Sequence, residues 1–237
     1  MKPFILNRTD ERRTRSVGRI VLYALVFFIV TRLGSAILVG IVQMIYQLGW
    51  DVNAMKLLNF LGRPEVMARQ EGWWIFPDIL LFAPLLEEAS FRLGLSFRRA
   101  HVAVGLGALT VFLVACCLRL SGVQFPVDWA WALLSGLAVG TALWFFTTDA
   151  FWLSKRGRWQ RPMMWASAIL FGLSHLFAMP GLTWALLPMA LTMAFLLALS
   201  GCVLVYLRVN LGFWWSVGAH ALINLIGAFA LLRILLG

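Results

Sequence analysis

The sequence predicts an all-α protein: a polytopic transmembrane bundle of about seven to eight helices, organised as a single domain over residues 1–237. Three observations carry that prediction. Of the 237 residues 62% are hydrophobic and only 13% are charged. The mean hydropathy is +0.86. Apolar runs near the ~20 residues that a spanning helix needs recur along the whole chain. That composition leaves no room for a large soluble domain, and no internal repeat or low-complexity stretch divides the chain.

The elements follow in order. Residues 1–19 carry Lys2, Arg8, Arg12, Arg13, Arg15 and Arg19 ahead of an apolar run, as a signal peptide does. The run continues from Ile20 to about Leu48, too long for a cleaved segment, so a retained first span over 20–46 is expected. A second span over 73–97 contains Pro77 and Pro84, which predict a kink or a separate short helix there. Further spans are expected at 102–119, 128–148, 162–179, 183–207 and 211–235. Twelve Trp and eighteen Phe suit interfacial belts and lipid-facing surface.

The net charge of +10 is explained by topology rather than by nucleic acid. The basic residues cluster at the ends of apolar segments and form no stripe with interleaved aromatics. If seven spans alternate, the Arg-rich N-terminus, Arg98 and Arg99, the loop with Lys155, Arg156, Arg158 and Arg161, and Arg208 all fall on one side. That side is expected to be cytoplasmic, with the N-terminus on it. The opposite loops, 47–72, 120–127 and 180–182, carry mixed or almost no charge. Cys116, Cys117 and Cys202 lie in apolar runs and read as small buried hydrophobes, neither nucleophiles nor disulfide partners.

Function is sought in three polar clusters at membrane depth, where ionisable groups are costly and seldom idle. These are Glu87, Glu88 and Arg92 in PLLEEASFR, His175 in FGLSH, and His220 with Asn224 in HALIN. With a rise of ~1.5 Å per residue, Glu87 lies about 16 Å from Arg98, His220 about 14 to 18 Å from the loop at Arg208 to Leu211, and His175 about 21 Å from Arg161. Three segments distant in sequence thus place polar groups at comparable depth. One shared pocket opening toward the cytoplasm would satisfy them all.

Helical spacing divides the roles. Glu88 and Arg92 are i,i+4 and can pair on one face, whereas Glu87 is turned ~100° away with no partner on its own helix. Phe171 and His175 share a face in the same way, as do His220 and Asn224. A Glu–Arg pair in a membrane is often a helix-packing clamp, and a single intramembrane His or Asn often bonds a neighbouring helix. Ser174 reads as such a packing hydroxyl. Glu87, His175 and His220 together at one depth read as a catalytic group.

On these residues the chain resembles the CAAX protease and bacteriocin-processing family, also called the Abi family, which includes the type II CAAX prenyl endopeptidases. The family motif EExxxR is matched by Glu87, Glu88 and Arg92, FxxxH by Phe171 and His175, and HxxxN by His220 and Asn224. The resemblance covers about residues 80–230. The Gly that often follows the motif Arg is displaced by one, since Leu93 precedes Gly94. The resemblance implies an intramembrane endopeptidase without a metal or other cofactor, in which Glu87 activates water with help from His175. His220 and Asn224 would stabilise the oxyanion, and Glu88, Arg92 and Phe171 would orient the site. Amide hydrolysis does require a base for the water and donors for the tetrahedral intermediate.

Two other readings compete. Glu87, His175 and His220 could ligate zinc with an open fourth position, although no HExxH helix is present. Alternatively the fold serves as a non-catalytic membrane scaffold, an immunity protein or a small transporter. Neither a GxSG serine motif nor paired YD and GxGD aspartates occur, and Asp78, Asp128 and Asp149 fall near span ends. The expected substrate is a membrane-associated peptide or protein, whether or not lipidated. The expected setting is a prokaryotic cytoplasmic membrane, with the chain a monomer that binds no nucleic acid.

Overall fold

A computed structural model describes residues 16–58, 72–121, 127–179 and 181–236, and among them every regular element is helical. Most of the basic segment 1–19, much of the 47–72 loop and the centre of the 120–127 loop lie outside the described residues. The long helices are α1 (Val17–Trp50), α4 (Arg99–Leu120), α5 (Val127–Phe146), α6 (Asp149–Ser174), α7 (Leu187–Asn210) and α8 (Phe213–Leu236). Shorter helices among the described residues include α2 (Ala54–Leu58) and α3 (Ala83–Arg92).

The first span is longer than expected. At 34 residues, α1 extends about 50 Å, well beyond a ~30 Å hydrocarbon layer. Ser16 begins it by accepting the Arg19 amide, and Asp51 ends it in the left-handed conformation, its amide bonded to the Gln47 carbonyl and the Val52 amide to the Tyr46 carbonyl. Asn53 then caps α2 by accepting the Lys56 amide at 2.9 Å.

The proline-containing second span is broken, as Pro77 and Pro84 suggested. A 3₁₀ turn (Gly72–Trp74), one α-helical turn (Ile75–Pro77) and a π-helical turn (Asp78–Phe82) precede α3, and a 3₁₀ turn (Leu93–Ser96) follows it. The Ala83 amide reaches back to Asp78, and the donor that would serve Ile79 in the same register belongs to Pro84, which has no N–H.

The expected loop carrying Lys155, Arg156, Arg158 and Arg161 is helical. Thr148 accepts the Phe151 amide at 3.2 Å and starts α6 at Asp149, so the basic stretch forms the first turns of the helix that ends at Ser174. Lys, Arg and Trp tolerate the helix well, and Pro162 removes only one bond from it. The expected span end at 179 also shortens, because residues His175–Ala178 tighten into a 3₁₀ turn.

Among the described residues, four helices are long and apolar enough to cross a membrane: Val17–Trp50, Arg99–Leu118, Val127–Phe146 and Trp184–Asn210. The broken segment before α3 and the basic start of α6 keep those two from meeting the same measure. Helix α7 is central. From Ser200 to Arg208 every residue is buried, as expected of a helix contacted on all sides. Against it pack α1, through Ile20 and Ala24, and α6, through Met164 and Ala168. The outer face of α1 is apolar and open, with Leu33 and Ile37 both more than 60% exposed.

Small residues set the closest approaches, as is usual where lipid gives no hydrophobic drive to helix association. A Cβ on Gly172 of α6 would lie 2.2 Å from the Ala194 carbonyl oxygen of α7. A Cβ on Gly136 of α5 would lie 2.6 Å from the Gly107 carbonyl oxygen of α4. Both contacts are backbone against backbone, which only Gly permits.

Candidate active site

The site forms where α3, the end of α6 and α8 meet beside α7. Its centre is the Glu88 carboxylate, fully buried, which takes three donors. Arg92 Nη1 lies 2.5 Å from Oε1, and His220 Nδ1 lies 2.9 Å from the same oxygen. Ser216 donates its hydroxyl to Oε2 and also lies 3.0 Å from the Leu204 carbonyl oxygen. The i,i+4 pair of Glu88 and Arg92 forms as the spacing predicts. It does more than clamp two helices, because the same carboxylate fixes the histidine of α8. A carboxylate paired with a guanidinium is an acceptor, so Nδ1 of His220 carries the proton in this contact.

Glu87 stands apart from that network. Its Oε2 has no hydrogen-bond partner and lies 3.6 Å from His220 Nε2. Its side chain is 19% exposed, against 0% for Glu88. The ~100° offset between adjacent helical residues therefore puts the two carboxylates against opposite nitrogens of one imidazole ring.

Phe171 joins the remaining members. Its ring centroid lies 4.9 Å from that of His175 and 5.5 Å from that of His220, both edge to face. The Arg92 guanidinium carbon stands 4.3 Å above the same ring. His175 bonds through Nδ1 to the Phe171 carbonyl oxygen at 2.8 Å, which leaves Nε2 as its second nitrogen. No hydrogen bond or ion pair joins His175 directly to Glu87 among the described residues. Ser174 donates its hydroxyl to the same carbonyl oxygen at 2.8 Å, a bond within its own helix.

Asn224 donates Nδ2–H to the Ile79 carbonyl oxygen at 2.9 Å. This is the carbonyl that Pro84 cannot serve, so Asn224 ties α8 to the π-helical turn and completes that turn's hydrogen bonding. One amide proton remains for other use.

Three residues escaped the sequence reading. Ser216 is fully buried and extends the His220 and Asn224 stripe back by one helical turn, which is the signal that would have found it. Arg208, expected only as a flanking charge, bonds through Nε and Nη2 to the Arg92 and Leu93 carbonyl oxygens at 3.2 and 3.3 Å. It thereby closes the C-terminal end of α3. Arg32, midway along α1, stacks its guanidinium 4.9 Å over the Phe28 ring.

No group of three or more His, Cys, Asp or Glu side chains is arranged to hold a metal ion among the described residues. The zinc triad of Glu87, His175 and His220 is thus not assembled as a ligand set.

Neither the curated proteins nor the solved structures yield a match to the chain. The family model described as type II CAAX prenyl endopeptidase Rce1-like matches residues 69–226, which include Glu87, Glu88, Arg92, Phe171, His175, His220 and Asn224. That match takes in more than half of the chain, and the chain belongs to this family of CAAX-type membrane proteases.

Proposed function

We propose that this protein is an intramembrane endopeptidase in which Glu87 takes a proton from water, and the water attacks a peptide carbonyl of a membrane-associated peptide or protein. The observation that carries this reading is the contrast between the two glutamates. Glu88 is saturated by three donors, while Glu87 Oε2 has none and faces a histidine nitrogen at 3.6 Å. That separation is beyond a direct hydrogen bond, so a water against Glu87 would meet an unused acceptor.

The other residues take roles consistent with their contacts. His175, with Nδ1 held by the Phe171 carbonyl, offers Nε2 to assist the water or the leaving amine. Asn224 offers its second amide proton to the developing oxyanion, and His220, its Nδ1–H held by Glu88, joins it by donating Nε2–H in the doubly protonated state. Glu88, Arg92 and Phe171 hold the ring orientations. The scheme uses no metal. The basic ends of the helices favour a cytoplasmic N-terminus and a site entered from that side. The substrate class extends to lipidated or unlipidated chains.

The test is cleavage of a peptide library by the purified protein in detergent, read by mass spectrometry. Wild type is expected to cut, and Glu87→Ala and His175→Ala to leave no product. Activity that survives both substitutions would overturn the reading. A chelator is expected to leave cleavage unchanged; loss on chelation with recovery on added zinc would overturn the metal-free scheme.

A further inference from the structure

The geometry points to Ser216 as a positioning residue that, through Glu88, sets which nitrogen of His220 is protonated and where the ring points. This inference rests on the endopeptidase reading for its kinetic consequence but not for its spectroscopic one. Ser216 lies on α8 one turn before His220, and both side chains reach the same carboxylate on α3. Both are buried, Ser216 completely.

The chemistry of a carboxylate explains why the serine matters. Glu88 Oε1 is shared by Arg92 and His220, so a turn of the carboxylate about its last torsion would carry that oxygen away from both donors. Such terminal torsions are broad and roughly two-fold, so they resist rotation weakly. The Ser216 hydroxyl holds Oε2 and thereby selects one plane for the group. Its single proton has two candidate acceptors, Oε2 of Glu88 and the Leu204 carbonyl oxygen at 3.0 Å. The charged acceptor makes the stronger bond.

The consequence reaches the reacting side of the ring. With Nδ1–H pinned on Glu88, Nε2 is the nitrogen left to face Glu87 and the substrate. If the carboxylate turns, the Nδ1 proton loses its fixed acceptor and the ring samples both tautomers. A hydroxyl that served packing alone would leave the tautomer of His220 untouched.

The experiment uses full-length protein with 15N-labelled histidine in detergent micelles. The chain has three histidines, and His220→Gln identifies the signal of interest. Wild type is expected to show a single His220 form with the proton on Nδ1. Ser216→Ala is expected to show exchange between the two tautomers, a roughly tenfold lower kcat and a KM within about twofold of wild type. Ser216→Thr, which keeps the hydroxyl, is expected to restore the single form. A Ser216→Ala protein whose His220 signal matches wild type overturns the inference. So does a Ser216→Thr protein that folds without regaining the Nδ1–H form. Because the tautomer is read without cleavage, failure of the endopeptidase reading leaves this result standing by itself.

Discussion

The Arg92 guanidinium lies 4.3 Å above the Phe171 ring while its Nη1 bonds Glu88. One buried cation thus joins the helix that carries both glutamates to the helix that delivers His175. The planar group can do both at once because stacking uses its face and the ion pair uses its edge. Lysine has no such face. Arg92→Lys is therefore expected to retain part of the ion pair but to lose the ring contact, with a cost of about 1–2 kcal/mol. Arg92→Ala leaves the Glu88 charge buried beside fewer donors and is expected to cost about 3–5 kcal/mol. Thermal unfolding in detergent should rank the two variants in that order.

The two adjacent glutamates should separate cleanly by measurement. Glu87→Gln removes the unpartnered carboxylate and is expected to abolish peptide cleavage while shifting stability by less than about 0.5 kcal/mol. Glu88→Gln places an amide among three donors and is expected to lower both stability, by about 1–3 kcal/mol, and activity. Parallel melting curves and product assays on the two proteins would show whether chemistry and architecture divide this way. Equal loss of stability in both would contradict it.

Asn224 should behave as a tether as well as a site residue. Replacing it with Ala leaves the Ile79 carbonyl unserved, because Pro84 has no amide to give, and is expected to cost about 1–3 kcal/mol. Amide exchange should rise locally around the π-helical turn Asp78–Phe82. A substitution that removes activity with no change in exchange there would show that the tether carries little.

The crossing of α6 and α7 should be intolerant of any side chain at Gly172. A methyl there would meet backbone oxygen at 2.2 Å, so the helices must move apart. Gly172→Ala is expected to cost at least about 1–3 kcal/mol. It should also reduce cleavage, since the same end of α6 places Phe171 and His175. Gly157, with nothing within 4 Å of an added Cβ, gives the control: Gly157→Ala should be neutral or slightly stabilising.

Much of this molecule could be read along the chain, for reasons that are local. Composition decided that the chain is a helical membrane protein, because lipid leaves the backbone no partner but itself. Pro77 and Pro84 marked the broken second segment, because a missing N–H is a property of the residue. Spacing decided that Glu88 meets Arg92, that Phe171 meets His175 and that His220 and Asn224 share a face, because 3.6 residues complete a turn. The basic stretch around Arg158 was misread as a loop, since charge alone does not interrupt a helix when a capping threonine starts it.

What only the tertiary structure decided is how these stripes meet. The sequence places Glu87 and Glu88 about 100° apart but does not say what stands between them. Helix packing puts the His220 ring there, with Nδ1 toward one carboxylate and Nε2 toward the other. The same packing recruits Ser216 to Glu88, Arg208 to the end of α3 and Asn224 to the Ile79 carbonyl. Each of these contacts joins residues more than a hundred positions apart. Their partners are set by the crossing of helices through small residues rather than by periodicity within any one of them.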